Sequence, residues 1–313
     1  MPSNSVMFYV GDLSGKTDQT VVINYIGGTN DTVAIQEGNK WYSHNIPSGK
    51  TLSSVTNLDY IKEAVVNCDK AYAQNWKNVD KVSYYNCDIF LYPYLNFSYS
   101  YFKSLDVRTV DISNVTDIRS MFAYCRSLTS LDLSNFDTSK VTDISSMFGG
   151  CSGLASLDLS NFDTSNVTSM SSMFYNCSGL TSLDVSNFNT SKVTNMGNMF
   201  NSCSNLTSLD VSNFDTSNVT SMYQMFRYCT NLTSLDVSNF NTSKVTSMTN
   251  MFYGCSGLTS LDLSGWDMTN VTNTSDMFAG CITLTTIRMV GCNQATIEKI
   301  NAVKPSSANI ITE

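Results

Sequence analysis

One histidine serves a chain of 313 residues. That residue, His44, leaves a serine or cysteine nucleophile elsewhere without an imidazole to take its proton, which removes most hydrolase chemistry. Charge is scarce as well: 14% of residues are Asp, Glu, Lys or Arg and the formal net charge is −8, where soluble proteins carry roughly a quarter charged residues. Solubility therefore rests on Ser, Thr and Asn. No run of Lys and Arg could follow a phosphate backbone, so nucleic acid is excluded as a partner and an anionic membrane face is disfavoured. No apolar stretch could span a bilayer, so no membrane insertion is expected. Val6 to Val10, the longest early apolar run, is too short for a signal-peptide core and has no basic flank. The chain is expected either to have lost a leader or to leave a cytoplasm as part of an assembled particle.

Ten cysteines do not replace the missing histidines. Seven of them, Cys125, Cys151, Cys177, Cys203, Cys229, Cys255 and Cys281, recur every 26 residues, a spacing that builds no tetrahedral zinc site. Gly49-Lys50-Thr51 matches the end of a phosphate-binding loop, but His44 stands where that pattern needs glycine. His44 itself, beside Trp41 and Tyr42, reads as a strand surface residue. The expectation is a non-enzyme with no catalytic residue, no metal and no cofactor.

What the chain does have is that 26-residue period, running from Met121 to Cys281. A fixed period in this range marks a solenoid whose turns contact only their neighbours. Within one copy Cys125, Leu128, Leu131, Leu133, Phe136, Val141, Ile144, Met147 and Phe148 mark the inside. Leu131 and Leu133 flank Asp132 with the alternation of a half-buried strand, repeated as Leu157/Leu159, Leu183/Val185, Leu209/Val211, Leu235/Val237 and Leu261/Leu263. Stacked, these predict a parallel sheet. Met-Phe-x-x-Cys-x-x-Leu spaces its apolar residues like a helical or 3₁₀ turn, so it is expected to climb the other side of each coil. The burial available to one copy falls short of its ordering entropy, so the array must be long and sealed at both ends.

The seals are legible. Upstream, the register persists through Leu105, Asp106, Val107 and Val115, and more faintly at Val79 and Asp80. Before it, Leu58, Ile61, Val65, Cys68 and Tyr72 fall at helical spacing after Thr56 and Asn57, which predicts a capping helix. Downstream, Ile287-Arg288-Met289 fills the strand slot, Gln294 to Val303 reads as a helix stopped by Pro305, and Ile310 and Ile311 as a last strand. The first residues alternate at Val21 to Tyr25, Val33 to Ile35 and Trp41 to Tyr42, a small antiparallel meander. The divisions are 1–55, a β-rich attachment domain; 56–94, capping helix and degenerate repeat; 95–290, the solenoid; and 291–313, a helix–strand cap.

Repetition turns positions into columns. The seven thiols would point the same way, which suits buried small hydrophobes better than disulfides. Asp132, Asp158, Asp184, Asp210, Asp236 and Asp262, preceded by Asp106, form an outward acidic column. Like charges about 5 Å apart repel by about 3 kcal/mol at an effective dielectric of 20, so these carboxylates either face water and accept Ser and Thr hydrogen bonds, or a cation bridges adjacent turns; Arg288 reads as a counter-charge for Asp262. A second column, Asp137, Asp163, Asn189, Asp215, Asn241 and Asp267, accepts Asn freely, as Asx turns would. Copies differ mainly beside Met-Phe-x-x-Cys. Tyr124, Tyr175, Tyr223, Arg227, Tyr228 and Tyr253 there make a ridge of aromatics and Arg among Gly, Ser and Asn, readable as a binding surface or as loop drift.

The unit SLTSLDLSNFDTSKVTDISSMFxxC, as it stands from Ser127 to Cys151, resembles the 26-residue repeat of the BspA-like leucine-rich repeat proteins. The likeness covers about Leu105 to Met289 in its LDxSNF, TSxVT and MFxxC elements. The ordinary leucine-rich pattern has Asn where Phe136 stands, and Asn135 comes one place early, so the family's asparagine ladder is not carried over. The resemblance implies display and adhesion on a bacterial surface, or on a phage particle, and supplies no catalytic motif. The fold class expected is an α+β repeat solenoid: a leucine-rich-repeat-like right-handed coil with a parallel sheet on one face, capped at both ends, plus a small N-terminal β-rich domain. The function expected is surface-displayed recognition of a protein or glycan on a cell surface. The alternative is a structural or decoration component of a phage virion or tail, docked through residues 1–55.

Overall fold

A computed structural model describes residues 5–10, 13, 19–25, 28–47, 50, 52–56, 61–67, 70–71, 81–85, 88–89, 97–99, 102–108 and 110–313. The strands are β1 (Ser5–Val10), β2 (Gln19–Tyr25), β3 (Asn30–Ile35), β4 (Lys40–Asn45), β5 (Leu52–Thr56), β6 (Ile61–Asn67), β7 (Lys70–Ala71), β8 (Lys81–Tyr85), β9 (Asp88–Ile89), β10 (Ser104–Asp106), β11 (Ser130–Leu131), β12 (Ser234–Asp236), β13 (Ser260–Asp262), β14 (Thr286–Arg288) and β15 (Asn309–Ile311). The one α-helix among the described residues, α1, spans Gln294–Val303. The architecture is a β-solenoid of about eight turns.

Three stretches make up each coil, joined at corners set by Asx turns. The carboxylate or amide oxygen of the corner residue accepts the backbone N–H two residues on: Ser134 to Asp132 at 3.0 Å, Ser139 to Asp137 at 3.0 Å and Ser145 to Asp143 at 2.9 Å. This local bond competes with helix or ladder continuation and turns the chain. The corner at Asp137 and its copies is the Asx geometry that its tolerance of Asn implies, since Asn189 and Asn241 accept in the same way.

On the Leu-Asp-Leu stretch the inward Leu or Val side chains are buried, Leu131 only partly, and Asp points outward. Strand pairing is regular only toward the ends. β10 pairs in parallel with β11, with Leu105 opposite Leu131, and β12, β13, β14 and β15 pair in parallel with Leu235, Leu261, Ile287 and Ile310 in line. In the middle coils the alternation persists, with single cross-coil bonds such as Thr181 N–H to the Ala155 carbonyl at 3.2 Å.

The continuous ladder lies instead on the Met-Phe face. Asp117, Asp143, Ser169, Asn195, Ser221, Ser247 and Asn273 bridge in parallel from coil to coil. Beyond them the helical climb expected for Met-Phe-x-x-Cys is replaced by a run of tight turns. Alternate amides divide the work. Met147, Gly149 and Cys151 donate within the coil to Ile144, Ser146 and Phe148, while Ile144, Ser146, Phe148 and Gly150 donate to carbonyls of the next coil. Every N–H in the stretch is thereby paired, although it forms neither helix nor regular strand. The geometry needs left-handed residues twice per coil, as at Ser172 (φ 58) and Asn176 (φ 54). A helix-like apolar spacing concealed this, because the inward side chains fall three and four apart whether amides bond along the coil or across it.

Inside, the phenylalanines Phe97, Phe122, Phe148, Phe174, Phe200, Phe226, Phe252 and Phe278 stack with centroids 5.6–5.9 Å apart. The seven thiols form a buried column beside them. Each donates to the phenylalanine carbonyl of the preceding coil, as Cys177 does to Phe148 at 3.0 Å. Burial pushes the Cys177 and Cys229 thiols up to about 12. Cys68 and Cys87 lie outside the described residues.

At the N-terminal end the expected capping helix is not formed: Ile61 and Val65 belong to strand β6, and Leu58, Cys68 and Tyr72 lie outside the described residues. β-Branched Ile61, Val65 and Val66 suit a strand, and β1 and β8 offer hydrogen-bonding partners on both sides. Val82, not the expected Val79, occupies the inward slot opposite Leu105; Val79 and Asp80 lie outside the described residues. One sheet runs in the order β11-β10-β8-β6-β1-β4. β1 and β4, from residues 1–55, thus continue the sheet that holds β10 and β11 of the solenoid. A second sheet runs β3-β2-β5-β7-β9.

At the other end α1 occupies the span its apolar spacing predicts. Asn293 caps it by accepting the Thr296 N–H at 2.8 Å. The Thr296 hydroxyl accepts the Met268 N–H at 2.9 Å, and Lys299 Nζ donates to the Met268 and Val271 carbonyls, each at 2.8 Å. β15 closes the Leu-Asp-Leu face.

Candidate functional site

Two tyrosine clusters, and not one unbroken ridge, emerge from the six variable residues. Tyr228 and Tyr253 meet edge to face at 5.3 Å, and the Arg227 guanidinium lies 4.4 Å from the Tyr228 ring centroid and 5.1 Å from that of Tyr253. Tyr124 stacks on Tyr99 at 4.8 Å, and Arg126 lies 5.7 Å from the Tyr124 centroid. Tyr175 and Tyr223 join neither cluster by a ring contact among the described residues. Tyr99, 58% exposed, belongs with Tyr124 and was hidden from sequence counting because its coil is one residue short.

Tyr99, Tyr124 and Tyr228 all sit in the left-handed region, at φ 58, 59 and 57. Other copies fill this slot with Gly150, Asn176, Ser202, Gly254 and Gly280, of which the glycines and the asparagine adopt the conformation at little cost. A bulky aromatic there costs on the order of 1 kcal/mol. The Tyr124 and Tyr228 rings lie over the next coil, so a Cβ at Gly150 or Gly254 would fall 2.5 or 2.4 Å from them. Tyr124 and Tyr228 therefore each require glycine in the following copy, whereas Tyr99 is followed by Tyr124 and stacks on it.

Charge reinforces the distinction. Arg108 pairs with Asp106, Arg119 with Asp117, and Arg288 with Asp262. Arg126 and Arg227 stack on tyrosines and have no carboxylate partner among the described residues, and Arg227 Nε is buried without a hydrogen bond.

The acidic column is placed outward, with each carboxylate accepting the N–H two residues on, as Ser160 to Asp158 and Ser212 to Asp210. Those bonds hold Asp132, Asp158, Asp184 and Asp210 below the usual carboxylate range. Among the described residues no group of three or more His, Cys, Asp or Glu could hold a metal ion.

His44 is not a bare strand surface residue. Its Nε2 is 2.8 Å from the Tyr25 hydroxyl and 3.0 Å from Asp31 Oδ2, and the Tyr25 hydroxyl donates to the same oxygen at 2.7 Å. The trio ties β4 to β2 and β3. The Tyr25 bond holds the Asp31 carboxyl below its ordinary value, and burial pushes the Tyr25 hydroxyl up.

An asparagine ladder is present, one place earlier than in the ordinary leucine-rich pattern. Asn187 Nδ2 donates to the Leu159 carbonyl at 2.9 Å and the Phe162 carbonyl at 3.0 Å, and Asn161, Asn213 and Asn239 repeat the pattern. Buried Thr138, Thr164, Thr190, Thr216 and Thr242 donate to the backbone of the following coil. The signal was available, because the two residues recur in register through five copies, Asn135 to Asn239 and Thr138 to Thr242.

These features define a repeat scaffold: a β-solenoid with an internally bonded frame whose copies differ mainly beside Met-Phe-x-x-Cys. The chain belongs to the family described as "Mycoplasma protein of unknown function, DUF285", whose model matches it twice, over residues 94–208 and 179–287. No curated protein matches the chain. No helix among the described residues is long and apolar enough to cross a membrane.

Proposed function

We propose that this chain is a non-enzymatic, surface-displayed recognition protein of the BspA-like kind, which presents its tyrosine clusters to a protein or glycan on a cell surface. The observation that carries this reading is the left-handed tyrosine. Tyr99, Tyr124 and Tyr228 occupy a slot where glycine is the relaxed choice, so the frame gains nothing from them that Gly150 or Gly254 does not already supply. Rigid aromatics with adjacent unpaired arginines are the residues that dominate recognition surfaces. The test replaces Tyr124 and Tyr228 by glycine together with Arg227→Ala, and measures attachment of the labelled chain to bacterial or host-cell envelopes. Attachment should fall at least roughly tenfold while the far-UV spectrum and urea midpoint hold. Attachment at the parent level would end this reading.

A second reading, a decoration component of a phage virion or tail, is favoured by β4. Among the described residues it is the last strand of its sheet, and Trp41 on it is 43% exposed. An open edge with an aromatic handle suits docking by strand addition. Here Trp41→Asp should abolish co-sedimentation with the particle, and the glycine variants should not.

A further inference from the structure

Among the described residues, the C-terminal cap covers two faces of the last coil and leaves the third open. β15 pairs with β14 on the Leu-Asp-Leu face, and α1 bonds to Met268 and Val271 on the next. On the Met-Phe face, each earlier coil donates alternate amides onward, as Asn250 does to Ser275, Phe252 to Met277 and Gly254 to Ala279. The equivalent amides of the last coil, on Asp276, Phe278 and Gly280, have no acceptor among the described residues. They border a cavity of about 550 Å³ whose opposite wall is Val303, Lys304, Pro305 and Ser306.

A separate observation marks the same place. The residue after the column cysteine is Arg126, Ser152, Ser178, Ser204, Thr230 or Ser256 in the preceding coils and becomes Ile282 in the last. Ile282 is 77% exposed and lines the cavity. An apolar residue thus appears only where the ladder ends.

We propose that this end is a peptide-binding site, filled in trans by a segment that acts as one further coil. The preceding coils specify the chemistry of the occupant. It must present backbone carbonyls on alternate residues to the Asp276, Phe278 and Gly280 amides, approach closely over Ala279 and Gly280, and cover Ile282 with an apolar side chain. A Met-Phe pair flanked by small polar residues has that pattern. A second copy of this chain is the poorer fit, because its N-terminal sheet finishes in the antiparallel strands β1 and β4 and not in a parallel coil.

The experiment uses the full chain and a fluorescein-labelled peptide of residues 247–256 under reducing conditions, followed by anisotropy. Saturable binding is expected. Ile282→Asp should weaken it roughly tenfold or more, Ser306→Trp should abolish it by filling the cavity, and Tyr124→Ala should leave it unchanged. Hydrogen exchange supplies a second readout. In the free chain the Phe278 and Gly280 amides should exchange much faster than Phe252 and Gly254, and the peptide should slow them roughly tenfold. No saturable binding up to about 1 mM, affinity unchanged in both cavity variants, or Phe278 and Gly280 as protected as Phe252 and Gly254 before peptide is added would each overturn the proposal. So would self-association of the chain that Ile282→Asp removes while the peptide fails to bind.

Discussion

Asn213 shows how much one side chain can carry when a fold is built from columns. Its amide nitrogen lies within hydrogen-bond distance of three carbonyls of the preceding coil, Val185 at 3.1 Å, Ser186 at 3.0 Å and Phe188 at 3.0 Å. Removing the donor strands acceptors that lie at the edge of a packed interior, and an unsatisfied buried group costs about 1–3 kcal/mol. Asn213→Ala should therefore lower stability by about 2 kcal/mol, read as a shift in urea midpoint at constant slope. Phe200, stacked between Phe174 and Phe226, should be worse: Phe200→Ala leaves a cavity and should cost about 3–5 kcal/mol. Tyr228→Gly should behave in the opposite manner. It relieves a left-handed aromatic while losing the Tyr253 ring contact and the Arg227 stacking, both at the surface, so its urea midpoint should match the parent within about 0.5 kcal/mol. A large loss there would mean that the ring holds the coil together and is not kept for a ligand.

At the scale of the element, the corners carry a pH dependence whose sign is fixed by hydrogen bonding. Asp132, Asp137, Asp158, Asp163, Asp184, Asp210 and Asp215 are each held below the ordinary carboxylate value by the N–H and hydroxyl of the serine two residues on, so their folded pKa lies beneath the unfolded one. A lowered folded pKa means that the native state binds fewer protons, so the stabilisation is complete above the unfolded value of about 3.9 and disappears as pH falls through the lower folded value. The urea midpoint should stay level from pH 7 to about pH 5 and then drop steadily toward pH 2. Replacing Asp163 and Asp215 by Asn, which already serves in that column at Asn189 and Asn241, should flatten that drop. An acid limb as steep as the parent's would mean the corners are not its source. The same corners explain what the sequence made legible. A corner residue that tolerates Asn, an inward leucine and a recurring thiol depend only on position within the period, so counting finds them. The path of the backbone on the Met-Phe face does not, because donating along the coil or across it places the same side chains inside. β6 escaped for a related reason: Ile61 and Val65 fall at helical spacing, and only the pairing offered by β1 and β8 selects the strand. The tyrosine strip could be marked as variable from sequence, but its division into two clusters depends on which ring finds glycine in the following coil.

At the scale of the whole molecule, stability is a sum of nearly identical interfaces, since each coil meets only the coils on either side. That makes the length of an internal deletion decisive in an unusual way. Removing residues 169–194 takes out one 26-residue period and joins Thr168 to Asn195, which occupies the same bridging position as Ser169. The Phe, Cys, Asn and Thr columns then close up in register, both seals remain, and the Arg227, Tyr228 and Tyr253 cluster is untouched. The shortened chain should fold, with a urea slope lower by roughly a twelfth, in keeping with the loss of 26 of the chain's 313 residues. Removing only residues 169–188 is the smaller change by count and should be the more damaging one. It sets Asn189 where Ser169 belongs, so that Met196, Phe200 and Cys203 arrive six residues out of phase and every downstream interface must form against the wrong slot. That chain should lose its cooperative transition and expose apolar surface to a hydrophobic dye. If the 20-residue deletion folds as well as the 26-residue one, the coils do not derive their stability from columns in register, and the tyrosine clusters lose the frame that orients them.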